Sequence, residues 1–242
     1  MADAKSLRVL ATPIAFNEEA KIGAVVDRCL AVPGVDFAVV DDGSTDRTPA
    51  IIRAKGVRCL RHGERRGVGA AIRTAVQAAR AEGYDVLVVM AGNDKDRPDE
   101  IPRLVAPIAE GRADLVQGSR YLAGGAFGGM PRYRHWATRR MHPWLLSLLT
   151  GQRMTDTTNG FRAIRLALLK DRRIDLDQPW LDRYELEPYL LMRAITLGLR
   201  VVEVPVTKIY PPKALGYTKM APITGWWSVL RPLILLGLRL KR

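Results

Sequence analysis

The chain has 242 residues, 48% hydrophobic and 26% charged, which supplies a packed core and excludes a disordered tail, a collagen-like repeat or a coiled coil. Lysine plus arginine number 38 against 25 aspartates and glutamates, and the net charge of +13 calls for anionic partners: phosphorylated ligands, polyanions or an acidic membrane face. Cys29 and Cys59 lack C-x-x-C spacing, which argues against a disulfide framework or a zinc site and suits a reducing cytoplasm.

At about 150 residues per domain, the length suits one α/β domain over 1–220 with a C-terminal helical appendage over 221–242. The first ten residues carry no long apolar run, so no secretory leader is expected. Runs rich in Val, Ile and Leu predict strands at 8–14, 36–40, 57–60, 85–90 and 114–117. Helices are expected between them. One covers 17–30, opening at Asn17 with Glu18 and Glu19 in its first turn; another covers 45–55 after Ser44; alanine-rich 67–82 stops at Gly83. This order predicts an α/β fold with a mostly parallel central sheet, helices on both faces, and a ligand site at the carboxyl ends of the strands.

Beyond Tyr121 come a Gly-rich loop (AGGAFGGM), a basic aromatic helix over 132–150, a turn at 156–160 and a short helix, then a helix over 184–197 and a strand over 200–209. The longest apolar stretch, Trp226 to Leu240, contains Arg231 and Pro232 and falls short of the ~20 residues a spanning helix needs. With Trp226, Trp227 and terminal basic residues, it reads as an amphipathic interfacial helix or, equally, as a tail packed on the body.

Two segments concentrate polar groups at predicted strand ends. Asp41-Asp42-Gly43-Ser44 follows the second strand, and its carboxylates either bind ribose and base donors or cap the next helix. Ala15-Phe16-Asn17-Glu18 follows the first strand, bringing an aromatic face suited to a base and an acidic side chain. At this spacing, AFNEEAKIG and VVDDGSTDRT resemble the opening of a family 2 glycosyltransferase with the GT-A nucleotide-sugar-binding fold. RRGVGAAIRTA, DLVQGSRY, TDTTNGFRAIR and VVEVPV extend the resemblance in the family's order, from about residue 8 to about residue 220.

Within the family the likeness is to polyprenyl-phosphate sugar transferases of the dolichol-phosphate mannosyltransferase type, through GMPRYRHWATRR, the GFR turn and LGYTKM. The resemblance implies that Ala15, Phe16, Glu18, Asp41 and Asp42 hold the nucleoside, and that Arg66, Gly69 and Asn93 belong to the donor site. Arg120 and Lys219 would meet the donor diphosphate, and Arg134, Thr138, Arg139 and Arg162 the acceptor phosphate. Arginines suit that task independently of any resemblance, because departure of a nucleoside diphosphate develops negative charge that must be stabilised. Taken alone, the run 132–140 is equally a solvated helix face; interleaved Tyr133, Trp136 and Trp144 favour a membrane-facing one.

One departure from the family is sharp. Where it places an Asp-x-Asp metal motif after the fourth strand, this chain has Ala91-Gly92-Asn93, and the next ligand position falls on Lys95. Three readings follow: Asp94 and Asp96 re-form a displaced metal pair for Mg²⁺ or Mn²⁺; Lys95 partly replaces the metal's charge in metal-independent chemistry; or catalysis is lost. Asp94 and Asp96 are otherwise a capped surface turn.

Asp182, Glu185 and Glu187 cluster before a helix, and Glu187 stands where the family usually has an acid. His62, His135 and His142 share no metal-like spacing.

The sequence therefore leads to an inverting glycosyltransferase that moves a sugar from a UDP- or GDP-sugar to a membrane-associated acceptor, polyprenyl phosphate above all, peripheral on the cytoplasmic face. The alternatives are glycosylation of a glycan or small acceptor with a carboxylate base, or a non-catalytic nucleotide-binding protein at the membrane surface. No nucleic-acid-binding motif is present.

Overall fold

The computed structural model describes residues 7–212 and 222–241. Five strands fall within two residues of the expected positions: β1 (Val9–Ala15), β2 (Asp36–Asp41), β3 (Arg58–Arg61), β4 (Val86–Ala91) and β5 (Leu115–Ser119). Four more complete the β-structure: β6 (Ala126–Gly128), β7 (Arg162–Arg165), β8 (Val201–Pro205) and β9 (Thr207–Ile209). Seven strands form one sheet in the order β3-β2-β1-β4-β7-β5-β8, while β6 and β9 pair separately. All neighbours in the large sheet are parallel except β7, which runs antiparallel between β4 and β5.

Alternation along the strands builds two cores. Val9, Ala11, Val86, Val88 and Met90 face helices α1 (Ile22–Leu30), α2 (Thr48–Ala54) and α4 (Ile101–Ala109), which contribute Ile22, Val25, Ile52, Ile101 and Leu104. Leu10, Leu87, Val89, Leu115 and Ile164 face the other way, against α3 (Val68–Ala81) and α7 (Leu186–Thr196). A continuous helical stretch runs through α5 (Arg132–Trp136), one π turn (Ala137–Met141) and α6 (His142–Thr150).

Three local expectations are corrected. Helix α1 starts at Ile22 rather than Asn17, because residues 16–21 are tied to the loop after β2. Asn17, at φ +51°, accepts the Thr45 N–H at 2.8 Å and gives its own N–H to Ser44 Oγ, and the Glu18 N–H donates to Thr48 Oγ1 at 2.7 Å. The polar residues that resemble a helix cap thus bridge two loops. Second, the segment after the 156–160 turn opens with strand β7, because Ala163 and Ile164 are buried in the sheet; a short helical turn (Leu166–Lys170) follows it. Third, the strand over 200–209 breaks at Val206 and changes sheets.

The C-terminal helix α8 (Pro222–Gly237) packs on α6 and α7. Leu233 is fully buried in the α3/α7 core, and Ser228 is buried too. His142, fully buried on α6, donates its Nε2–H to the Val229 carbonyl at 3.2 Å, while Arg231 lies 3.7 Å from Glu185. Among the described residues no helix is long and apolar enough to cross a membrane.

Candidate active site

A cavity of about 470 Å³ opens where β1, β2 and β4 end, at the sheet edge where ligands bind in open α/β folds. Ala15, Phe16 and Glu18 line it from the loop after β1, Asp42 from the loop after β2, and Arg65, Arg66 and Gly67 from the turn into α3. Met90, Ala91, Asn93 and Lys208 form another side; Gly160, Arg183, Tyr184 and Glu187 lie across from the α7 end; Thr224, Gly225 and Ser228 of α8 close the remaining wall.

The wall formed by Phe16, Asp42, Arg65 and Arg66 is organised by carboxylates that bind protein. Asp42 Oδ1 accepts His62 Nδ1–H at 2.8 Å and the Arg66 N–H at 2.9 Å, and Oδ2 accepts the Gly67 N–H at 2.9 Å. One buried side chain therefore fixes the turn that presents Arg65 and Arg66. Arg65 stacks on Phe16, its guanidinium carbon 4.4 Å from the ring centre. Asp41 is fully buried against Arg61, at 3.2 Å, and the Ser44 N–H, and does not line the cavity.

Gly69 also faces away from the cavity. A Cβ there would stand 1.9 Å from the Leu181 carbonyl oxygen, so the glycine permits α3 to abut the 181–183 backbone, and the Ala70 N–H donates to the Asp182 carbonyl at 3.0 Å.

Arg120 is committed within the protein. Its side chain is 2% exposed; Nε and Nη2 hold the two oxygens of Asp156 at 2.6 and 2.7 Å, and Nη2 reaches Thr158 Oγ1 at 2.9 Å. Thr138 Oγ1 lies 2.7 Å from the Tyr121 hydroxyl, and exposed Arg139 lies over the same ring at 5.7 Å. Arg162 is buried; it donates to the Asn159 and Glu187 carbonyls, and its Nη2 is 3.3 Å from Glu187 Oε1. Glu187 thus reaches the cavity as half of an ion pair. Of its expected companions, Asp182 pairs with Arg73 and Glu185 with Arg231. Lys219 lies outside the described residues.

The loop after β4 does not assemble the displaced metal pair. Asp94, at φ +63°, is ion-paired with Arg28 of α1, whereas Asp96 is buried, accepts the Ala91 N–H at 2.8 Å and pairs with Lys208. A hard divalent cation takes about six oxygen ligands, carboxylates foremost. Here each candidate carboxylate is bound to a cation, and only the Asn93 amide from this loop reaches the cavity. Among the described residues no group of three or more His, Cys, Asp or Glu is placed to hold a metal ion. The described residues around this loop do not fit Mg²⁺ or Mn²⁺.

Cations gather instead. Lys95 is buried with its ammonium 4.2 Å from the Tyr210 ring centre, and the Arg134 guanidinium carbon lies 5.9 Å from the same centre. Burial first, then the charges of Lys208 and Arg134, pushes the Lys95 pKa down to about 7.

Sequence reasoning missed Arg65, Arg183, Tyr184 and Lys208. Arg65 adjoins a residue it did select; a lone lysine in the apolar VPVTKIY run was the available sign of Lys208.

Fold and cavity define the class: this is a GT-A protein. The solved structure of glucosyl-3-phosphoglycerate synthase from Mycobacterium tuberculosis, in complex with Mn²⁺, UDP-glucose and phosphoglyceric acid, matches with a TM-score of 0.67 at 23% identity, over 95% of this chain and 81% of that one. The chain belongs to glycosyl transferase family 2, whose model matches residues 14–173. It is similar to the undecaprenyl-phosphate mannosyltransferase of Micrococcus luteus, 35% identical over 225 residues, covering 89% of this chain and 88% of that protein. It is similar also to the polyprenol monophosphomannose synthase of Mycolicibacterium smegmatis, 34% identical over 213 residues, covering 85% and 78%.

Proposed function

We propose that the chain transfers one hexose from a nucleotide-diphosphate sugar to a polyprenyl phosphate, with inversion at the anomeric carbon, while resting on the cytoplasmic face of a membrane. The carrying observation is a single cavity whose lining runs from Phe16, Arg65 and Arg66 to Thr224, Gly225 and Ser228 of α8. The names of the relatives support the lipid-phosphate acceptor.

A phosphate-monoester oxygen of the acceptor attacks the anomeric carbon, and the bond from that carbon to the donor diphosphate breaks. The electron pair leaves with the nucleoside diphosphate. A lipid phosphate is already ionised near neutral pH, so the attack needs no general base. Arg183 brings positive charge to the acceptor side, and the Arg162–Glu187 pair positions the first turn of α7. A charge-compensated Glu187 suits this role better than proton abstraction.

The exposed surface of α6 and α8 supports the membrane setting. On α6, Trp144 and Leu148 are each 65% exposed; on adjoining α8, Trp227 and Ile234 are exposed at the spacing of one helix face, and Leu238 just beyond its end is exposed as well. Arg132 on α5, Arg139 and Arg140 in the π turn and Lys241 beyond α8 are exposed too, and aromatic, aliphatic and basic side chains together suit an acidic bilayer interface.

The test is nucleotide release from a panel of UDP- and GDP-sugars with polyprenyl phosphate, polyprenol or a free sugar in detergent. Release that requires the lipid phosphate is expected, and Glu187→Gln is expected to slow it less than about tenfold. Release with polyprenol or sugar instead, lost by about 10²-fold or more in that variant, would make Glu187 a general base and overturn the acceptor assignment.

A further inference from the structure

We propose that this chain holds the donor diphosphate without a divalent cation, the positive charge coming from the Lys208 ammonium in the cavity wall with buried Lys95 behind it. The inference rests on the nucleotide-sugar reading above.

The backbone is built to keep the two lysines together. The Asp96–Lys208 antiparallel bridge and the Ile209 N–H donating to the Lys95 carbonyl at 3.0 Å stitch the 94–96 loop to β9. Asp96 then locks Lys208 from below while its other oxygen takes the Ala91 N–H. Lys208 faces the cavity beside Asn93, whose buried Oδ1 has no hydrogen-bond partner in the protein. An acceptor left in that state at a cavity wall is costly unless a ligand donor, such as a sugar hydroxyl, meets it.

Charge makes the same case. Lys95 and Lys208 sit with Arg134 and Lys21 around two carboxylates, Asp96 and Glu18, and both lysines of the proposed pair are buried. The surplus is positive, in a place where water screens it poorly, and is relieved by an anion. The Lys208 ammonium is a fixed donor in the cavity wall and needs no reorganisation when charge develops on the leaving diphosphate. Both carboxylates of Asp94-Lys95-Asp96 are already ion-paired, to Arg28 and Lys208, so recruiting a metal there would strip two cations of their partners.

The experiment is titration calorimetry of the full chain with UDP and with GDP, in chelator, in Mg²⁺ and in Mn²⁺. Dissociation constants for whichever nucleotide binds are expected to agree within about threefold across the three conditions. Lys208→Gln and Lys95→Gln are expected to weaken binding about tenfold or more in chelator, with Lys95→Arg recovering part of the loss; melting curves establish that each variant is folded. The comparison of conditions on the unaltered chain stands if a variant fails to fold. Affinity that rises about tenfold or more with either metal would overturn the inference and leave the donor reading intact. No binding of either nucleotide under any condition would overturn both. Metal-indifferent binding without transfer to polyprenyl phosphate would support the inference and overturn only the acceptor assignment.

Discussion

Arg120→Met tests whether that arginine holds the fold or the donor. The Arg120–Asp156 pair is two-pronged, its side chains are 2% and 0% exposed, and Thr158 takes a further bond from Nη2. Replacing the arginine leaves a buried carboxylate with the Arg120 N–H at 3.1 Å and two long contacts to Thr158. Breaking a buried pair from one side costs about 3–5 kcal/mol, because the desolvated partner charge remains. At about 2–4 °C per kcal/mol for a chain of this size, melting is expected to fall by roughly 10 °C. Arg120→Lys should recover little, since a single ammonium cannot reproduce the fork. The double variant Arg120→Met/Asp156→Leu removes both charges and should regain at least about half of the loss. Urea and thermal unfolding followed by circular dichroism provide the cycle. A melting temperature within about 2 °C of the parent, together with much weaker nucleotide binding, would refute the reasoning and return Arg120 to the donor site.

Gly69→Ala places a methyl 1.9 Å from the Leu181 carbonyl oxygen; it is expected to cost about 1–3 kcal/mol in urea unfolding and to loosen the Arg65–Gly67 turn, weakening nucleotide binding. His142 is fully buried and held by Thr157 and the Val229 carbonyl, and burial pushes its pKa down to about 4. The unfolded chain binds the proton first, so stability is complete above about pH 6.5 and falls as pH drops towards 4, by about 3 kcal/mol at most. Urea midpoints across that range, compared with those of His142→Gln, measure it; parallel curves would contradict the assignment. Trp144→Ala/Leu148→Ala removes exposed apolar area from α6 and is expected to reduce co-sedimentation with acidic vesicles by about tenfold or more, leaving the melting temperature within about 2 °C.

Much of the frame was legible in the chain itself. Strands such as VLVVMA, buried on both faces, declare themselves as unbroken apolar runs, and the alternation of strand with helix implies a mostly parallel sheet. Strand β7 was hidden because RAIR is four residues long, with arginines at both ends, and only its neighbours β4 and β5 give it a sheet to enter. Asn17 and Glu18 carried a capping signal that is local in character, yet their partners are Ser44, Thr45 and Thr48.

The site divided in the same way. Of the residues that motif order singled out, Ala15, Phe16, Glu18, Asp42, Arg66, Asn93 and Glu187 line the cavity, whereas Asp41, Gly69 and Arg120 do not. Which side chains remain available to a ligand was a matter of long-range pairing. Asp156, 36 residues away, takes Arg120; Arg28, 66 residues away, takes Asp94; Lys208, 112 residues away, takes Asp96 and enters the cavity itself. A sequence lists charges in order, but the ion pairs that neutralise them and the burial that makes those pairs strong arise only when distant segments meet.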